Sequence, residues 1–114
     1  MLDLNKLAGV CFDISEKRTN NGAFKKNTTS ALLKHTATEV IEAMESYVYY
    51  KKADPCCREG DEVGDTYKQF SSELADIIVC VLIIAGKETI DIEKALLDCV
   101  EKNRKRAEGV GDKL

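Results

Sequence analysis

Residue types that break helices or carry familiar catalytic chemistry are scarce in this chain of 114 residues. One proline and seven glycines leave few interruptions, a composition that favours long helices over many short strands. The single histidine, His35, argues against a di-iron bundle built on paired Glu-x-x-His motifs and against a Ser/His/Asp triad. No glycine-rich phosphate loop is present. We expect His35 on a helix surface or partly buried, rather than as a metal ligand.

The five cysteines do not follow the pattern of a disulfide framework or a zinc site. Their number is odd, Cys56 and Cys57 are adjacent, and the C-x-x-C spacing is absent. Cys80 and Cys99 lie within apolar patterns, where a thiol behaves as a small hydrophobic residue. We therefore interpret these two thiols as core side chains.

A basic excess and a long hydrophobic run are also missing. The net charge of -3 argues against a nucleic-acid-binding surface. The longest apolar run covers residues 77–85, nine residues against the ~20 needed to cross a bilayer. The first residues lack the basic-then-apolar pattern of a signal peptide. We therefore expect a cytoplasmic protein without a nucleic-acid or membrane partner.

The spacing of apolar residues predicts four helices in a single domain, residues 1–114. The first covers residues 2–19, and the second runs from an N-cap at 28–30 to about 52, before Pro55. The third begins at 65 or 66, where Thr66-Tyr67-Lys68-Gln69 fits a capping box, and stops at Gly86. The fourth covers 92–106 behind an Asp91 N-cap. Residues 107–114 are expected to form a mobile tail.

The third helix contains a β-branched run at 77–79 that is also compatible with a strand, since periodicity does not separate the two. Helix is favoured because the flanking segments are helical and no partner strands are visible. A helix that is apolar on every side must be covered on every side, so we expect a second subunit to complete the bundle. Two other inward faces are predicted: Leu32, Leu33, Thr36, Val40, Ala43, Met44, Tyr47 and Val48 on the second helix, and Ala95, Leu96, Cys99 and Val100 on the fourth.

Two pairs of acids stand at helical spacing, Glu39 with Glu42 and Glu73 with Asp76. Residues three apart share a helix face, so packing of the second helix against the third would bring four carboxylates into one small volume. Like charges so close destabilise a fold unless cations compensate them. Oxygen ligands of this kind suit Mg²⁺. The alternative is that these acids are solvated helix faces.

Basic residues end the fourth helix, in the run Lys102-Asn103-Arg104-Lys105-Arg106. Cations at a helix C-terminus complement the helix dipole, and they also bind phosphates. Both interpretations stay open on the residues alone. Phe24, in the connection before the acidic second helix, is interpreted as a core residue that borders the site rather than as a stacking platform.

In these motifs the sequence resembles the MazG-like, all-α nucleoside triphosphate pyrophosphohydrolases, a superfamily that includes dimeric dUTPases and dCTP pyrophosphatases. The family pattern is E-E-x-x-E on one helix, then a variable loop, then E-x-x-D on the next. Here it is matched by Thr38-Glu39-Val40-Ile41-Glu42 and Glu73-Leu74-Ala75-Asp76, and the segment 101–106 resembles the family's K-N-x-x-R ending. Thr38 replaces the first glutamate of the E-E pair.

The resemblance implies a helical bundle completed by dimerisation or tetramerisation, with Mg²⁺, or Mn²⁺ in its place, as the cofactor. It implies that four acids bind the metal: Glu39, Glu42, Glu73 and Asp76. It also implies substrate contacts from Lys102, Asn103 and Arg106, with Phe24 near the base. All four metal-binding positions are retained despite the change at Thr38.

The function predicted from this resemblance is hydrolysis of a (deoxy)nucleoside triphosphate to the monophosphate and pyrophosphate. Glu39 or Glu42 would act as the catalytic carboxylate that orients or deprotonates the attacking water. One alternative is a helical interaction module that kept the bundle and lost catalysis. A second is a hydrolase of a related phosphate metabolite that is not a nucleoside triphosphate, and a bare di-metal carrier is more distant still.

Overall fold

The computed structural model describes residues 2–20, 28–53 and 61–109, and these form four α-helices. The helices are α1 (Leu4–Asn20), α2 (Thr29–Ala53), α3 (Asp61–Lys87) and α4 (Ile92–Ala107). No strand occurs among the described residues, so the prediction of an all-α chain of four helices is confirmed. The predicted loop features at Phe24, Pro55 and Cys56-Cys57, and the last five residues of the predicted tail, lie outside the described residues.

Two of the predicted helix starts are correct. The Thr28 hydroxyl accepts a hydrogen bond from the backbone N–H of Ala31, 3.1 Å away, at the start of α2. At the start of α4, the Asp91 carboxylate accepts one from the backbone N–H of Lys94, also at 3.1 Å. Each side chain satisfies a backbone donor that the first helical turn leaves without an intrahelical partner.

The predicted start of α3 is wrong. The helix begins at Asp61, so the supposed capping box at 66–69 lies within the helix rather than at its start. An isolated glycine costs a helix only about 1 kcal/mol, and Gly64 therefore does not end a helix of 27 residues. The strand alternative for residues 77–79 is also excluded, because α3 runs through them unbroken.

Helix α3 lies at the centre of the chain, with α1 and α2 packed against it. Mostly small residues form the contact with α1: Ala8 and Cys11 are buried against Ala85 and the larger Leu82. Aromatic rings fill one end of the contact with α2, where the Phe70 ring centroid lies 5.4 Å from Tyr47 and 5.9 Å from Tyr50. The backbones of α1 and α3 approach closely because the residues between them are small.

Gly86 marks the closest approach of α1 and α3. A Cβ atom built on Gly86 would lie 2.5 Å from the backbone oxygen of Ala8 and 2.8 Å from the Cβ of Phe12, whereas one on Gly9 would meet nothing within 4 Å. We expect Gly86→Ala to lower the free energy of unfolding by about 1–3 kcal/mol, because the helices must separate. Gly9→Ala should instead raise it by about 0.5–1 kcal/mol through helix propensity. Urea denaturation of both variants tests this, and equal stabilities would contradict the close packing at Gly86.

Helix α4 is attached to the start of α1 by polar contacts. The Asn5 side chain donates to Asp91 Oδ1 at 2.8 Å and accepts from the Glu93 backbone N–H at 3.2 Å. Glu93 in turn accepts from the backbone N–H of Leu4 at 3.3 Å. No residue of α4 is buried. The predicted inward face at Ala95, Leu96, Cys99 and Val100 is therefore wrong for the single chain.

The predicted inward face of α2 is also wrong in most of its members. Leu32 and Ala43 are buried and Thr36 is partly buried, while the remaining five stay 41–64% exposed: Leu33, Val40, Met44, Tyr47 and Val48. The radius of gyration is 17.6 Å, against about 13 Å for a compact domain of this size. These five side chains are exposed because, among the described helices, α2 packs mainly against α3, which covers one side of it.

Helix α3 is apolar over more than the nine-residue run. By length and composition alone, the segment Asp65–Lys87 is sufficient to cross a membrane, a test that core helices of soluble proteins also pass. Glu73 and Asp76 lie in the middle of this segment, and Glu73 approaches carboxylates of α2. Charges at that depth of a bilayer are costly, so the segment fits better as the central helix of a bundle.

Candidate metal centre

Three carboxylates converge where α2 crosses α3. Oxygen atoms of Glu39, Glu42 and Glu73 all lie within 4.8 Å of one another. The i, i+3 spacing places Glu39 and Glu42 on one face of α2, and the packing of α2 on α3 brings Glu73 opposite them. Carboxylate oxygens at this separation are able to share one hard divalent cation.

Asp76, one turn further along α3, is close enough for its charge to act on Glu39. It lines a cavity of about 500 Å³ together with Glu39. The rest of the lining is largely apolar with a few polar groups: Arg18, Ala31, Leu32, His35, Val79, Cys80 and Ile83. A pocket of this volume and mixed lining is of the kind that accommodates a small organic ligand.

The electrostatics of the cluster disfavour ionised Glu39. Burial raises the pKa of this carboxyl above its ordinary value, and the negative charges of Glu42, Asp76 and Glu73 raise it further, while His35 acts in the opposite direction. Both causes penalise the charged form in the absence of a cation. A divalent cation would reverse the balance, so the residues present fit Mg²⁺ in charge and in donor type.

Two glutamates of the cluster each make a polar contact with a neighbouring side chain on their own helix. His35 Nε2 lies 3.1 Å from Glu39 Oε1, and the side-chain amide of Gln69 donates to Glu73 Oε1 at 2.7 Å. Both partners precede their glutamate by four residues on the same helix. Neither contact was predicted from the sequence, although the i, i+4 spacing is the signal that would have found them.

The thiol of Cys80 lies beside the acids. Cys80 is buried, as predicted, and burial raises its pKa, as does the charge of Glu39. A thiol held protonated in this way is a small, neutral side chain in the lining of the cavity. Cys99 was predicted to be a core residue too, but it is exposed on α4. That prediction is wrong for the single chain because the described part of α1 contacts the start of α4 and leaves Cys99 exposed.

The other predicted site residues do not join the acids within the described chain. Lys102, Asn103 and Arg106 lie on α4, which packs against α1, and none of them lines the cavity beside Glu39. Their roles stay predictions, as does the role of Phe24, which lies outside the described residues. Neighbouring Arg104 pairs with Glu101 and Glu108 on its own helix.

Comparison with known proteins identifies the family of the chain. The sequence model of the MazG nucleotide pyrophosphohydrolase domain matches residues 24–111. No curated protein and no solved structure matches the chain. The matched region contains both acid pairs and the basic end of α4. The match therefore confirms the resemblance inferred from these motifs. The family is typically metal-dependent, and membership implies pyrophosphohydrolase activity in general. The match covers most of the chain, and the protein therefore belongs to the MazG nucleotide pyrophosphohydrolase domain family.

Proposed function

We propose that the protein hydrolyses a (deoxy)nucleoside triphosphate to the monophosphate and pyrophosphate in a Mg²⁺-dependent reaction. The observation that carries the proposal is the convergence of Glu39, Glu42 and Glu73 from two helices, within a chain of the MazG family. A cluster of acids alone would not suffice, since exposed acids often approach one another without a ligand. Burial of Glu39 among like charges is the feature that calls for a cation.

Glu39, Glu42, Glu73 and Asp76 would hold the metal, and Mn²⁺ is an alternative to Mg²⁺. When bound, the metal would neutralise charge on the triphosphate and on the leaving pyrophosphate. The carboxylates also lower the affinity of the site for a bare triphosphate, since like charges repel. The acids therefore make nucleotide binding conditional on the cation.

The bond that breaks joins the α-phosphorus to the oxygen bridging it to the β-phosphorus, and a water oxygen forms the new bond to the α-phosphorus. The proton of that water passes to a carboxylate, and we assign this role to Glu39 or Glu42.

The cavity beside the acids supplies a place for the nucleoside. Its apolar walls suit a base or a sugar, and its opening onto Glu39 and Asp76 would leave the triphosphate near the acids. Lys102, Asn103 and Arg106 are proposed to contact phosphate or sugar oxygens, and Phe24 to border the base. Arg offers a bidentate fork to phosphate, and Lys offers a point charge.

A second copy of the chain is proposed to complete the bundle, as a homodimer or a homotetramer in the cytoplasm. Supporting this, a groove of about 460 Å³ between α2 and α3 has an almost wholly apolar lining that includes Val40, Met44, Val48 and Leu74. These four side chains are 41–64% exposed in the single chain. Contiguous exposed apolar surface of this kind is typical of a protein interface.

The test is pyrophosphate release from a panel of canonical and modified nucleoside triphosphates, with Mg²⁺ and with chelator. We expect release from at least one nucleotide in Mg²⁺, and its loss in chelator. Release from none, by a folded oligomer that still binds metal, would favour the hydrolase of another phosphate metabolite. An oligomer that binds no metal would favour the inactive interaction module.

A further inference from the structure

The one histidine of the chain lies against a member of the acidic cluster. His35 Nε2 is 3.1 Å from Glu39 Oε1, and the two residues are one turn apart on α2. The Glu39 side chain is only 13% exposed, whereas His35 is 47% exposed. The largely buried carboxylate is thus contacted from the solvent side by a ring that is itself accessible.

This contact distinguishes the two oxygens of Glu39. The last torsion of a glutamate side chain is broad and roughly two-fold, so a carboxylate without a partner samples many orientations. Contact of His35 Nε2 with Oε1 restricts this torsion, and it would leave Oε2 to accept a cation. The carboxylate of Glu73 is held in a similar way by Gln69.

We propose that His35 is a positioning residue for Glu39, which orients this carboxylate for a divalent cation without binding the cation itself. The inference rests on the proposed function, since it takes Glu39 as a metal ligand. Hydrogen bonds to ligating carboxylates fix their orientation, and loss of such a partner typically weakens metal binding by about 10–100-fold. His35 also lines the 500 Å³ cavity, together with Glu39 and Asp76.

The test compares Mn²⁺ binding to the full chain, without nucleotide, in the wild type and three variants. His35→Leu removes the donor at similar volume, and His35→Gln retains a side-chain N–H at a similar reach. Thr38→Val is the matched control, because the Thr38 hydroxyl donates to the backbone oxygen of Lys34 on the same exposed helix face. Electron paramagnetic resonance of free Mn²⁺ gives the dissociation constants directly.

We expect His35→Leu to raise the Mn²⁺ dissociation constant about 10–100-fold, and His35→Gln and Thr38→Val to stay within about threefold of the wild type. In turnover, His35→Leu should need more metal for half-maximal rate while its rate at saturating metal changes much less. Circular dichroism should show all four proteins equally helical. A purely structural role would not produce rescue by glutamine.

Unchanged Mn²⁺ binding in His35→Leu would overturn the inference, and so would equal losses in the leucine and glutamine variants. A wild type that binds no Mn²⁺ would overturn both this inference and the metal-dependent function. A wild type that binds Mn²⁺, weakens as expected in His35→Leu and yet cleaves no nucleotide would support the positioning role and overturn the proposed function alone.

Discussion

Replacing Glu73 with glutamine is expected to lower Mg²⁺-dependent pyrophosphate release by more than about a hundredfold, since loss of even an outer-shell partner of a metal typically costs 10–100-fold. Glu73 is the one member of the close carboxylate group that α3 contributes, so its loss leaves Glu39 and Glu42 in that group, with Asp76 one turn away on α3. The glutamine variant keeps the size of the side chain and removes one negative charge.

The fold should survive this change. The charge of Glu73 adds to the repulsion that raises the pKa of Glu39. Neutralising Glu73 therefore removes an unfavourable interaction from the metal-free protein. We expect the Tm of Glu73→Gln in chelator to equal or exceed that of the wild type by a few degrees. Mg²⁺ should raise the Tm of the wild type and not that of the variant, because a ligand stabilises only the state that binds it.

Glu45→Gln is the matched control for Glu73→Gln. Glu45 is an exposed acid on α2 outside the close carboxylate group, so the same chemical change there should leave both turnover and Mg²⁺ stabilisation near the wild type. Full activity of Glu73→Gln would remove Glu73 from the metal centre. Equal losses in both variants would point to a general effect of charge rather than to a ligand.

The second large effect is expected from a lysine in the apolar groove between α2 and α3. Met44 is 64% exposed in the single chain and lines this groove with Val48 and Leu74. In a single copy, Met44→Lys leaves the new ammonium in water at little cost. In an assembly that covers the groove, the same charge would be buried without a partner, and such changes cost about 3–5 kcal/mol.

We therefore expect Met44→Lys to raise the dissociation constant of the oligomer by more than about a hundredfold. Size-exclusion chromatography with light scattering over a range of concentrations measures the mass. Val10→Lys is the control, because Val10 is an apolar residue of comparable exposure, 51%, on α1 and outside the groove. A Met44→Lys variant with the wild-type mass would show that the groove is not the interface.

Features that depend on neighbours along the chain were predictable from the sequence. Spacing of three residues on a helix fixes that Glu39 and Glu42 share a face, and the side chains of Thr28 and Asp91 suffice to cap α2 and α4. The order of the two acid pairs was enough to indicate the family that the comparison confirmed. The start of α3 was missed because one unfavourable residue, Gly64, is outweighed by the length of the helix around it.

Only the tertiary structure decided which features meet across the chain and which face solvent. The approach of Glu73 to the acids of α2 depends on how α2 packs on α3, and that packing involves other side chains of the two helices, such as Phe70 against Tyr47. The contact of His35 with Glu39 was compatible with the spacing but required the side chains to turn towards each other. Hydrophobicity indicates which side chains are favoured in a buried position, but it does not indicate which helix or subunit buries them. For that reason the apolar faces of α2 and α4 were predicted as core and lie exposed in the single chain.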